Sequence, residues 1–182
     1  KEKLGEIPFQ GGLVDQKAAA DALVNNNTGS TGTANFTQSE TSIIAFGSNV
    51  LIGFNDSGSY TGGASKFTGF SYSTDGRKAG CHWLADAGGD AGDPVLARNE
   101  TTGRIYFSTL GFQITTIQMF RSDNNGLTWM APVNATPGGS SEDKQWLTVD
   151  NFPGSGNGNV YLISRRFGGP QGIYLFRSTD NG

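Results

Sequence analysis

Three carboxylates recur at nearly even spacing. Glu40, Asp93 and Asp143 stand 53 and 50 residues apart, each just ahead of a β-rich run. Acidic groups at such an interval converge only if successive stretches of chain lie side by side. Converged, they could hold a metal ion or supply a general acid. The competing possibility is that each carboxylate caps a turn or pairs with an arginine of its own stretch. Asp90, Glu142 and Lys144 stand close by in sequence. Arg165-Arg166 is the cation pair that a loop could carry to the same region, and a guanidinium grips a carboxylate with two parallel hydrogen bonds. The candidate binding set is therefore Glu40, Asp93, Asp143 and Arg165, with no residue assigned as catalytic. Cys81-His82 holds the chain's one cysteine and one histidine. One thiol and one imidazole fall short of a zinc site, so no metal is assigned to them.

The elements that must position these groups come from an internal repeat. The stretch Phe120-Arg121-Ser122-Asp123-Asn124-Asn125-Gly126-Leu127-Thr128-Trp129 reads strand, tight turn, strand. Asn and Gly tolerate the left-handed backbone that such a turn needs. The same pattern appears at Ser73-Thr74-Asp75-Gly76 and at Ser178-Thr179-Asp180-Asn181-Gly182. Upstream of each turn a β-rich run aligns on Val50, Ile105 and Val160, with a period of 55 both times.

Ser-x-Asp-x-Gly-x-Thr-Trp is the Asp-box, and the chain resembles the Asp-box (bacterial neuraminidase repeat) β-propellers of the sialidase-like superfamily. The second box matches through Ser122, Gly126 and Trp129, with Asn124 in place of Asp. The third matches through Ser178, Asp180 and Gly182. The first matches at Ser73 and Asp75 and then departs, because Arg77 stands where Gly is expected. The resemblance implies that these box residues brace turns. The alternative is a ligand site in which their oxygens hold calcium, the one cofactor under consideration. It also implies an all-β fold of about three four-stranded antiparallel blades. A closed propeller has about 4–8 blades, so these would belong to a larger ring of about six or seven, or two copies would close one ring. Inner strands line a propeller's channel, which would place Glu40, Asp93 and Asp143 at one rim. Sialidases bind a substrate carboxylate with three arginines and use a Tyr assisted by Glu. Here Glu6 precedes Ile7-Pro8, where the family has Arg-Ile-Pro, and no Tyr-Glu pair is assigned.

Composition agrees with many short strands. Gly reaches 28 residues, aromatics 11% and charged residues only 16%. A net charge of −3 with no basic cluster argues against nucleic acid as partner. No apolar run is long enough to span a bilayer. Residues 1–37 read as an arm and linker, with a short helix at 14–24 capped by Asp15. Residues 38–182 read as a partial propeller, with blades at about 38–85, 88–132 and 140–182. The third strand of the first blade is expected at 66–73 and the outer strand of the second at 128–133. Residues 77–83 depart from the repeat. Five Asn-x-Ser/Thr sequons, at Asn26, Asn35, Asn55, Asn99 and Asn134, suit an exported protein. Two functions are expected from this pattern. One is a secreted or cell-surface module that binds a glycan or protein surface without catalysis. The other is the N-terminal part of an exo-α-sialidase-like glycoside hydrolase.

Overall fold

The computed structural model describes residues 24, 38–57, 67–75, 80–84, 90–111 and 116–182. They form eleven strands in three antiparallel sheets. The first sheet holds β1 (Gln38–Phe46), β2 (Asn49–Asp56), β3 (Thr68–Ser73) and β4 (Gly80–Trp83). The second holds β5 (Asp90–Arg98), β6 (Ile105–Gly111), β7 (Ile117–Ser122) and β8 (Val133–Asn134). The third holds β9 (Glu142–Val149), β10 (Val160–Arg166) and β11 (Gly172–Ser178). Within each sheet the strands follow chain order. The expected all-β architecture of successive blades is present.

Local chemistry sets these meanders. Gly47 is the first of two residues joining β1 to β2, with φ 55°, which a two-residue hairpin favours. Between β5 and β6 the Asn99 Oδ1 accepts from the amides of Thr101 and Thr102 at 2.9 and 3.0 Å. That Asx turn satisfies donors that the ladder cannot reach.

Strand alternation then stacks the sheets. Leu51, Phe70, Leu96, Ile105, Phe107 and Phe120 fill the layer between the first and second sheets. Tyr106, Ile117, Met119, Leu147, Val160 and Leu162 fill the layer between the second and third. Ile105, Tyr106 and Phe107 are all fully buried, because β6 lies in a sheet covered on both faces. Each such side chain contributes about 1.5–3 kcal/mol of transfer free energy.

Two sequence expectations shift. The second sheet's outer strand is Val133–Asn134, not 128–133. The reason is local: Thr128 N donates to Asn124 Oδ1 at 2.9 Å and Met130 N to Arg121 O at 2.8 Å, so the turn holds that stretch. The irregular run 77–83 contains β4, which pairs with β3 at Phe70↔His82 and Ser71↔Cys81. The expected helix at 14–24 lies outside the described residues except Val24, whose carbonyl accepts from the Ser71 hydroxyl. That bond ties Val24 to the first sheet.

Candidate binding rim

The inner strands β1, β5 and β9 share one irregularity. Each carries a bulge near its start, where two residues face one on the neighbouring strand. The first residue of each pair is left-handed and is not glycine: Glu40 (φ 49°), Asp93 (φ 52°) and Lys144 (φ 47°). Such a backbone costs energy for residues other than Gly and Asn, so surrounding contacts must hold it. The same device at the same place in three sheets turns three charged side chains onto one rim. The bulge register thus aligns Lys144, rather than Asp143, with Glu40 and Asp93.

Contacts between sheets meet at this rim. Asn55 Nδ2 donates to Asp93 Oδ1 at 3.1 Å, and Asp93 N donates to Asn55 Oδ1 at 2.6 Å, joining the first sheet to the second. Gln145 Nε2 donates to the Asp93 carbonyl, joining the third sheet to the second. Lys144 Nζ reaches across to Glu40, joining the third sheet to the first. The Glu40 hydrogen bond holds the Lys144 pKa above its ordinary value. Desolvation opposes this, and the charges of Glu40, Asp93 and Asp143 reinforce it. All three carboxylates expected at the rim therefore lie within electrostatic reach of one ammonium.

Asp143 braces the bulge, accepting from Lys144 N at 2.8 Å. Arg165 stands opposite Asp143 across β9 and β10, at the same end of its sheet. Its guanidinium turns toward the loop after β10. Nη1 donates to Arg166 O at 2.8 Å, and the group lies 4.7 Å from the Phe167 ring centre. Arg166 is spent elsewhere. It pairs with buried Glu142, stacks 3.8 Å over the Tyr174 ring, and shares Glu142 with the Ser164 hydroxyl at 2.6 Å. Among the described residues, no three carboxylate, imidazole or thiol groups gather as a metal site. Sequence reasoning placed Lys144 only nearby and read Asn55 only as a sequon. A left-handed lysine and a buried asparagine bridge leave no signature in local sequence.

The Ser-x-Asx turns sit at the other end of the sheets. Ser73, Ser122 and Ser178 lie opposite Val50, Ile105 and Val160, where β2, β6 and β10 begin. All three share one pattern. The serine hydroxyl donates to the Asx two residues on (Asp75 3.1 Å, Asn124 2.9 Å, Asp180 2.5 Å), and that Asx amide donates back at 3.4 Å. Gly126 N and Gly182 N add bonds to the serine oxygen at 2.9 and 2.8 Å. Their oxygens are committed to the turn itself. Trp129 packs beneath, with ring centres 5.7 Å from Phe70 and 5.4 Å from Phe107.

No protein-family model matches the chain, and no curated protein does. Among solved structures, the chain is similar to the "Hadza microbial sialidase Hz136" at 16% identity and TM-score 0.60, over 82% of this chain and 36% of that one. It is also similar to the α-L-arabinofuranosidase PaAbf62A of Podospora anserina, solved with cellotriose, at 16% identity and TM-score 0.56, over 86% and 50%. A GH62 hydrolase in complex with xylotriose matches at 15% identity and TM-score 0.55, over 80% and 47%. Likeness at that identity shows the fold alone. The chain spans from about a third to a half of the length of these structures. Its three sheets are blades of a β-propeller.

Proposed function

We propose that this chain is a glycan-binding propeller module whose rim, at Glu40, Asp93, Asp143 and Lys144, contacts a neutral saccharide. The observation that carries it is the triple bulge: three strained backbone positions bring charged groups from three blades to one place. Stored strain of this kind is common where a ligand is held. The balance of charge decides the ligand class. Glu40, Asp93 and Asp143 outnumber Lys144, and Arg165 faces the Phe167 loop. Carboxylates accept hydrogen bonds from sugar hydroxyls and repel a sugar acid. The three propeller neighbours described above, each named for carbohydrate chemistry, support a glycan as ligand. The role is one of binding, since Glu40 is held by Lys144 and Asp93 by Asn55. An exported or cell-surface location belongs to the same proposal, although two sequons do not support it. Asn55 and Asn99 are 7% and 1% exposed and hydrogen-bonded.

The second reading, part of a sialidase-like hydrolase, is favoured by the three Ser-x-Asx turns of Asp-box type and by the likeness to a microbial sialidase. It needs converging arginines. Titration calorimetry with xylotriose, cellotriose and sialyllactose separates the two. The neutral sugars should bind, and Asp143→Asn or Lys144→Ala should weaken them about tenfold, as the loss of one charge-assisted hydrogen bond would. The melting temperature should fall only slightly, because the Lys144–Glu40 pair is exposed and Asp143 is half-buried. Preference for sialyllactose, or indifference to both substitutions, would refute the neutral-glycan rim. Release of sialic acid would establish the second reading.

A further inference from the structure

One face of the third blade is open and apolar. Trp146, Ile163, Ile173 and Leu175 are 59%, 43%, 71% and 67% exposed. The ladder sets them in rows, with Trp146 beside Ile163 and Ile163 beside Leu175, while Arg165 stands beside Ile173. A contiguous patch of that kind marks a surface that something covers.

The second blade shows what covers such a face. Tyr161 follows Tyr106 by 55 residues; Ile173, Leu175 and Arg177 follow Ile117, Met119 and Arg121 by 56. In the second blade Tyr106 and Ile117 are fully buried and Met119 is 3% exposed, because the third blade lies over them. The same rows are thus buried in one blade and bare in the next.

The mode of covering is specific. The Ser-x-Asx-x-Gly turns of the second and third blades each seat their glycine on the blade before. A Cβ on Gly126 would lie 2.2 Å from Leu51 Cδ2, and one on Gly182 would lie 2.6 Å from Tyr106 Cε1. Only glycine permits that approach. Around the seat of Gly182, the Tyr106 hydroxyl donates to Asn181 O at 3.1 Å and Arg121 Nη1 donates to Gly182 O at 2.5 Å. Tyr161 and Arg177 are the corresponding pair on the third blade. Tyr161 is half-buried and Arg177 exposed, and both lie on the open face.

We propose that this face receives a further blade of the same kind, whose Ser-x-Asx-x-Gly turn seats its glycine on Tyr161 and offers carbonyls to Arg177. A second copy of this chain does not meet the requirement. The turns of its second and third blades are already seated on Leu51 and Tyr106. Its first blade's turn carries Arg77 at the fifth place, where the seat leaves no room for a Cβ. The proposal is independent of the ligand at the rim.

The test compares the 182-residue chain with a version in which residues 127–182, one full repeat, follow Gly182. The repeat carries Trp146→Phe, so that Trp146 of the original blade is read alone. Hydroxyl-radical footprinting with mass spectrometry reports its exposure. Labelling of Trp146 should fall several-fold in the extended chain and return when the repeat also carries Gly182→Arg. Arg177→Ala in the original blade should likewise weaken the protection, while leaving the melting temperature of the unextended chain unchanged. Four outcomes overturn the proposal. Trp146 protected in the dilute unextended chain would mean that its own residues cover the face. Protection rising with concentration would mean a second copy. Persistent labelling in the extended chain, with or without a folded repeat, would mean that the seat does not accept this blade. Protection that survives Gly182→Arg would mean that the turn is not what docks.

Discussion

Asp123 shows how little an exposed ion pair does for stability, and where it acts. Arg104 grips it with two parallel bonds, at 2.7 and 2.8 Å. That hydrogen bond draws the Asp123 pKa below the ordinary carboxylate value, against a smaller opposing cost of burial. A depressed carboxylate pKa adds stability above the unfolded-state value near 4, and the gain disappears as pH falls through the folded-state value. Asp123 is 50% exposed, so solvent and salt leave about 0.5 kcal/mol or less. Asp123→Asn should lower the melting temperature slightly at pH 7, and its deficit should vanish on acidification through the carboxylate range. A deficit that persists in strong acid would assign the effect to turn geometry. Lys144 runs the opposite way. Its raised pKa keeps the ammonium side of the Glu40 pair charged through neutral pH, and that contribution is lost as pH rises through the folded-state value.

The turns and bulges are the elements that decide this fold, and they differ in how far sequence reveals them. Ser122, Asn124 and Gly126 announce their turn because each residue type has a mechanical reason to be there. The bulges give no such notice, since Glu40, Asp93 and Lys144 are ordinary residues forced left-handed by neighbouring strands. That is why even spacing singled out Asp143, one residue off the aligned position. The rim's carboxylates were legible from the repeat; the ammonium between them and the Asn55 bridge were products of packing. β8 was overextended for a related reason, as Thr128 has high strand propensity but spends its amide on Asn124. Glycine substitution separates backbone strain from docking. Gly138→Ala meets nothing within 4 Å and carries only the strain of φ 71°, about 1 kcal/mol. Gly126→Ala adds a collision with Leu51, itself 1% exposed, and should cost about 2–3 kcal/mol. Denaturant melts of both variants measure the difference. Equal losses would mean that Leu51 yields freely and the turn is not seated.

At the scale of the whole molecule, stability is the sum of what each blade makes alone and what it makes with its neighbour. The largest fully buried side chain at the joint between the second and third blades is Tyr106. Its ring is fully buried, its hydroxyl reaches Asn181, and Gly182 lies against its edge. Tyr106→Phe removes one hydrogen bond and should cost about 1 kcal/mol, with a single unfolding transition retained. Tyr106→Ala removes the ring and should cost about 3–5 kcal/mol. The loss falls on the joint rather than on either sheet, because β9–β11 keep their own ladder. Hydrogen exchange should therefore show the amides of β9–β11 opening before those of β5–β7 in Tyr106→Ala, and together with them in Tyr106→Phe. If both sheets open in step in the alanine variant, the coupling between blades lies in the rim contacts of Asp93, Gln145 and Lys144, and the turn is only an accessory to it.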